Sequence, residues 1–262
     1  MERIKERFWL WGHEAGSHDS EWNLPKPSRI TPVEAARYMD VPNVVMVRYG
    51  REPLYHDARY TAPFASLQNV VWSIVGAGGT TADQEREQVL ELTEQLPNMS
   101  GVMMDDFFRQ RPTANEIGVL SIEQLSQIRK QLARGAHRLD LWVVLYDHQL
   151  ALPVKQHLDL CDKVSFWTWR ADELGDLERN FSVVEERAPL CGKLLGCYMW
   201  DYGNKRPMPV EAMERQCSIG LRWLREGRIE GMIFLASCIC DLGLETVEWT
   251  RDWIAKVGDE NL

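Results

Sequence analysis

Two adjacent aspartates, Asp105 and Asp106, follow an apolar run in GVMMDDFF at 101–108. Burying a charge is costly unless it is paired or at work. Carboxylates attached to such a run therefore mark the open end of a core strand, or the strand reading fails. Asp147 in LYDHQ and Asp201 in YMWDYGNK repeat the pattern of an apolar run, then an aspartate beside a ring. Paired carboxylates suit acid–base work on an acetal. One, kept protonated by a raised pKa, donates to the leaving oxygen, while the other attacks the anomeric carbon or activates water. Asp105, Asp106 and Asp201 are the candidate catalytic residues. Side chains alternate along a strand, so one of Asp105 and Asp106 is expected to face the substrate and the other to support a loop or cap a helix.

The remaining polar and aromatic residues after apolar runs form a second set. His13, Glu14, Arg48, Asp147 and His148 are candidates to orient hydroxyl groups. Trp167, Trp169, Arg170, Asp172, Trp200 and Tyr202 are candidates for binding subsites, because flat rings with an apolar face and a polar edge make platforms for the CH-rich faces of sugars. Trp72 and Trp142 lie mid-run and are expected in the core. The substrate class implied is a carbohydrate, and the net charge of −9 favours a neutral or basic glycan.

The elements that must position these residues are legible from periodicity. Short apolar runs occur at 7–12, 43–50, 69–76, 101–108, 140–148, 163–169, 193–203 and 231–238, each long enough for one strand and too short for a helix. Helical patterns lie between them. Val89, Leu92 and Leu96 share one face behind Asp83. Ser121 is placed to cap a helix whose stripe is Ile122, Leu125, Ile128 and Leu132. Pro209 opens, and Gly227 stops, a helix stacking Val210, Met213, Cys217, Leu221 and Leu224. A final helix follows from LETVEWTRDWIAKVG. The stretch 51–68, interrupted by Pro53 and Pro63, reads as a long loop with one short helix. Eight strand–helix units in a chain of 262 residues point to an α/β fold, a (β/α)8 TIM barrel forming a single domain over 1–262, with a doubly wound open sheet as the rival. The working face of such a barrel lies at the C-terminal strand ends. Polar residues gather at those ends, whereas the strand starts carry Asn43, Asn69, Gly101, Lys163, Lys193 and Gly231.

Aspartates at strand ends beside aromatics resemble the barrel glycoside hydrolases at large. MMDDFF is similar to the strand-four segment of the α-galactosidase-type families, where an apolar or aromatic residue precedes the nucleophilic Asp. That resemblance implies Asp105 as nucleophile. Those families carry their acid after strand six, which implies Asp172 in WTWRADE, a residue equally suited to cap the helix that follows. The large clan with glutamates on strands four and seven is similar in position at Asp105/Asp106 and Asp201, but the residues here are Asp and its Asn–Glu pair is missing. The resemblance covers fewer than about twenty residues, and it names no single family.

Other classes are less well supported. The acidic balance argues against nucleic acid or anionic membrane as partner, and no stretch approaches the roughly 18–20 apolar residues of a membrane span. Six cysteines without a CxxC pair read as reduced, buried thiols in a cytoplasmic protein, with a trimmed leader as the open alternative. Homo-oligomerisation stays open. Neither cofactor nor metal is expected, although His13, Glu14, His18, Asp19, His56, Asp147 and His148 are possible ligands of a metal-dependent alternative. The glycine-rich VGAGGTTADQE could hold a phosphate on its amides, so a metal- or phosphate-dependent sugar isomerase or lyase stands as one alternative and a non-catalytic carbohydrate-binding barrel as another. Lys163 and Lys193 precede their strands, which disfavours a Schiff-base aldolase.

Overall fold

The computed structural model describes residues 2–50, 58–113, 116–134 and 137–262. All eight apolar runs form strands: β1 (Phe8–Gly12), β2 (Asn43–Met46), β3 (Asn69–Val75), β4 (Met99–Met104), β5 (Asp140–Tyr146), β6 (Lys163–Trp167), β7 (Gly192–Tyr198) and β8 (Gly231–Leu235). Each pairs in parallel with its sequence neighbours, and β8 pairs back with β1 through Phe8–Met232 and Trp11–Leu235. The sheet is a closed (β/α)8 barrel, not an open one. Its strands stop earlier than the apolar runs do. β4 ends at Met104 and β5 at Tyr146, so Asp105, Asp106, Asp147 and His148 belong to the loops of the mouth.

The helices are α1 (Pro32–Tyr38), α2 (Ala58–Thr61), α3 (Asp83–Gln95), α4 (Ile122–Leu132), α5 (Lys155–Leu158), α6 (Leu177–Arg187), α7 (Val210–Arg225) and α8 (Glu245–Val257). Their starts follow capping chemistry. Thr31 with Glu34, and Ser121 with Gln124, form reciprocal capping boxes that satisfy otherwise orphaned amides. Pro209 stands one residue outside α7, as its N-cap, and Gly227 follows the helix at φ = 68°. Val89, Leu92 and Leu96 are buried behind α3, and Leu125, Ile128 and Leu132 behind α4. Of the stretch 51–68, residues 58–61 form α2 and 62–66 a 3-10 turn. Pro53 and His56 lie outside the described residues.

The barrel interior is filled with tryptophan. Trp9 on β1 meets Trp142 on β5 edge-to-face at 4.9 Å, and one layer higher Trp11 meets Trp167 on β6 at 5.3 Å. Neither pair comes from neighbouring strands, so these rings cross the interior. Gly196 on β7 makes this possible, since a Cβ there would overlap the Trp167 ring. Below, Lys163 pairs with Glu230 at 2.9 Å and lies over the Trp142 ring, and Lys193 donates to the Cys191 carbonyl at 2.8 Å. Both lysines thus serve the end of the barrel opposite the mouth. All six cysteines are buried free thiols.

Candidate active site

Trp11 and Trp167 form the floor of a small pit of about 90 Å3 at the C-terminal end of the barrel. Rings supply most of its wall. Tyr146 and Tyr198 stand at the ends of β5 and β7, Trp169 and Tyr202 follow β6 and β7, and His18, Trp22 and Tyr49 close the side above β1 and β2. The rings support one another edge-on: Trp169 contacts Tyr146 at 5.7 Å and Tyr198 at 5.8 Å, and Trp22 contacts Tyr202 at 5.4 Å.

Asp105 and Asp106 both line this pit. The alternation expected of them fails because the strand has already ended. Asp106 sits at φ = 44°, a left-handed conformation that aspartate tolerates better than most residues, and this turns its carboxyl back toward the mouth. Its backbone N–H donates to Asp105 Oδ1 at 2.9 Å. The Tyr146 hydroxyl donates to Asp106 Oδ1 at 2.9 Å, and the Gly78 amide donates to Asp106 Oδ2 at 2.8 Å. The glycine-rich segment after β3 therefore serves a carboxylate of the chain itself. Gly79, at φ = 68°, lies so close that a Cβ would stand 3.0 Å from the Asp106 carbonyl oxygen.

Asp105 is 5% exposed. Burial pushes its pKa well above the usual carboxylate range, the Asp106 charge pushes it further, and the single amide bond from Asp106 is too weak to reverse this. Asp105 is thus a buried carboxyl with a raised pKa, beside a carboxylate held by two donors.

The histidines of the pit are fixed as neutral rings. His13 Nδ1 is 2.8 Å from the Val47 carbonyl, and Trp11 Nε1 donates to His13 Nε2 at 3.1 Å, so the proton resides on Nδ1. Burial lowers the His13 pKa to about 4. His18, next to it, is lowered by burial and then by His13, with its Nδ1 3.2 Å from the Tyr202 hydroxyl. Among the described residues, no three His, Cys, Asp or Glu side chains converge as a metal-ligand set.

The other expected site residues divide. Trp167 is the floor, and Trp169 and Tyr202 are walls. His148, stacked on Tyr146, and Arg170 stand in the wider opening above. Asp201 is elsewhere. It is fully buried and accepts from the Ala171 and Asn204 amides, from Asn204 Nδ2 at 2.9 Å and from Arg206 Nε at 3.1 Å. Its carboxylate pins the hairpin of Trp200–Asp201 and Arg206–Pro207 and does not line the pit, so the expected pairing of Asp201 with Asp105 or Asp106 is corrected. Arg48 turns outward to a two-pronged ion pair with Glu85 in the first turn of α3. Glu14 lines neither cavity. The Asp147 carboxylate accepts from the His148 amide at 2.8 Å and bonds to Glu173, which makes it a support behind the wall. Asp172 is exposed and accepts from Asn204 Nδ2 at 3.1 Å. Trp200 is buried behind the site and donates to the Trp22 carbonyl at 3.0 Å.

Trp22 was not among the expected site residues, and His18 was expected only as a possible metal ligand. They come from the long segment between β1 and α1, whose length without periodicity was the available signal. Tyr146 and Tyr198 end apolar runs, where a ring reads as core as readily as wall. Above the pit the mouth widens to about 930 Å3, lined in part by Phe108, Arg109, Gln110 and Arg111 of the hairpin after β4. No helix of the described residues is long and apolar enough to cross a membrane.

No protein-family model matches the sequence, and no curated protein matches it. Solved structures do resemble its fold. One is active domain 2 of a thermostable chitinase from Pyrococcus furiosus, at TM-score 0.56 and 13% identity over 90% of this chain and 85% of that one. Another is the PgaB (BpsB) glycoside hydrolase domain from Bordetella bronchiseptica, at TM-score 0.55 and 10% identity over 98% and 99%. A third is the tamarind chitinase-like lectin, at TM-score 0.53 and 9% identity over 96% and 99%. Glycoside hydrolases and a lectin share this barrel, so the likeness establishes the fold and leaves the reaction to the site.

Proposed function

We propose that this chain is a glycoside hydrolase in which Asp105 is the general acid. One observation carries the reading: a buried carboxyl, its pKa pushed up by burial and by the Asp106 charge, stands in an aromatic-lined pit at the barrel mouth. A raised pKa is what a group needs to protonate a leaving oxygen near neutral pH. Trp169 and Tyr202 are among the rings lining the pit, and the wider opening above gives room for the rest of a glycan.

Asp105 and Asp106 stand on one wall, so they do not bracket the bond from opposite faces as separated carboxylates do. Asp106 takes a different part. With Tyr146 beside it, its carboxylate orients the attacking oxygen, a water or a carbonyl of the substrate itself, and stabilises positive charge developing at the anomeric carbon. A buried carboxyl with a raised pKa is what acid catalysis uses, which is why the catalytic reading is preferred to the binding one. A screen against chromogenic glycosides and natural polysaccharides, with and without chelator, tests it. Hydrolysis that survives chelator and is lost in both Asp105→Asn and Asp106→Asn is the expected result. Sugar binding without turnover would establish the lectin reading instead.

A further inference from the structure

The opening above the pit differs in charge from the molecule around it. The chain holds 39 acidic and 30 basic residues, yet the titratable groups facing this space are Asp106, Arg109, Arg111, His148, Arg170 and Glu173. The acidic members are largely accounted for. Asp106 is taken by Tyr146 and Gly78, and Glu173 is raised by burial and then by Asp147, to which it bonds, with Arg170 only 3.7 Å away. Arg109 and Arg111 are different: both are exposed, and no carboxylate of the described residues forms an ion pair with either.

The two lie on the strand Phe108–Thr113, whose pairing with Glu116–Gly118 is irregular between Phe108 and Thr113, and both line the opening. The base of that strand is anchored by Phe107 and Phe108 packed on His157, by Gln149 Nε2 donating to the Phe108 carbonyl at 3.1 Å, and by pairing of Phe108 with Gly118. A Cβ at Gly118 would overlap the Phe107 ring, so the two strands sit tightly together. Two guanidinium groups without an ion-pair partner among the described residues, facing a cavity that leads to the pit, are suited to carboxylate or sulfate oxygens.

We infer that Arg109 and Arg111 form an anion subsite, and that the glycan entering this site is acidic, carrying a carboxylate or sulfate on a residue beyond the one in the pit. The inference rests on the glycosidase reading for the sugar and adds the charge. It reverses the expectation of a neutral or basic glycan drawn from the net charge, because the local field at the opening, not the total, meets the substrate.

The test is calorimetric binding of three hexasaccharides to the full chain and to its Asp105→Asn variant: neutral chitohexaose, a hyaluronan hexasaccharide carrying carboxylates, and a 6-O-sulfated chitohexaose. At low ionic strength at least one acidic probe should bind about tenfold or more tightly than the neutral one, and which of the two does so separates carboxylate from sulfate. The gap should close in Arg109→Gln/Arg111→Gln, whose exposed positions leave the fold intact by circular dichroism, and should shrink with added salt. Equal binding of all three, binding of none, or a gap that survives the double variant would overturn the subsite. An acidic probe that binds through these arginines and is never cleaved would sink the hydrolase reading and leave the subsite standing.

Discussion

The backbone N–H of Asp106 donates to Asp105 Oδ1 at 2.9 Å, and the left-handed turn at Asp106 brings both carboxyls to one pit. Consecutive residues in a strand could not do this. The two carboxyls differ in environment: Asp105 is buried and its pKa is raised, whereas Asp106 has its oxygens on Tyr146 and Gly78.

Asp105→Asn should lower kcat by about 10²- to 10⁴-fold, the range of a lost general acid, and should raise stability at neutral pH. The folded pKa of Asp105 is raised, so from the unfolded value of about 3.9 upward the unfolded chain loses this proton first. Wild-type stability therefore falls as pH rises from about 4 towards the raised folded value. The variant should lack that slope, read as melting temperature against pH. A variant with unchanged activity, or with the same slope as wild type, would remove Asp105 from the role of acid.

Tyr146→Phe deletes one donor to Asp106 and little volume. A hydrogen bond to a charged group is worth about 1.5–3 kcal/mol, so kcat should fall roughly ten- to a hundredfold if Asp106 acts in the transition state. KM should change much less. Steady-state kinetics on the best substrate of the glycoside screen would show this, and a loss confined to KM would make Tyr146 a binding residue.

Every barrel strand was legible in the sequence, because parallel strands covered on both faces leave continuous apolar runs such as NVVWSIV and DLWVVLY. The cap at Ser121 was legible as well. The site was legible only in part. Sequence placed Asp105, Asp106, Trp169 and Tyr202 near strand ends, but the direction of a side chain beyond the last strand residue depends on a turn such as that at Asp106, which no periodicity encodes. Asp201 and Arg48 looked like site residues because they also follow apolar runs. Their carboxylate and guanidinium find partners within the chain, at Asn204, Arg206 and Glu85, that lie at no regular spacing.

Asp201→Asn distinguishes a supporting carboxylate from a catalytic one. With its oxygen kept on the Ala171 and Asn204 amides, the new side chain would point its NH2 at Asn204 Nδ2 and Arg206 Nε, at a cost of about 1–3 kcal/mol. For a chain of this size that lowers the melting temperature by about 2–4 °C for each kcal/mol. Activity measured well below the melting point should stay within about threefold of wild type. A loss as deep as that of Asp105→Asn would return Asp201 to the chemistry.

Gly196→Ala tests the floor. The added methyl would overlap the Trp167 ring, which is boxed in by Trp11 at 5.3 Å and Tyr198 at 5.0 Å. Overpacking a filled interior costs about 1–3 kcal/mol, and here the upper end is expected because rings on both sides block retreat. Urea unfolding should show the loss and near-ultraviolet circular dichroism a changed tryptophan signal. Full retention of both would mean that Trp167 can move aside and that the floor is soft.

His13 should remain the neutral Nδ1–H tautomer across the physiological range. Protonating Nε2 would displace the Trp11 indole N–H and place a charge inside a ring-lined wall, and burial accordingly lowers its pKa to about 4. The folded chain thus binds this proton later than the unfolded one, whose His titrates near 6.5. Stability from this group is complete above about pH 6.5 and declines as pH falls from there towards about 4. Long-range nitrogen–proton correlation spectra of ¹⁵N-labelled protein should show His13 Nε2 unprotonated at pH 6. A His13 already charged at pH 6 would show that the Trp11 contact does not hold its tautomer, and that a second proton donor faces the pit.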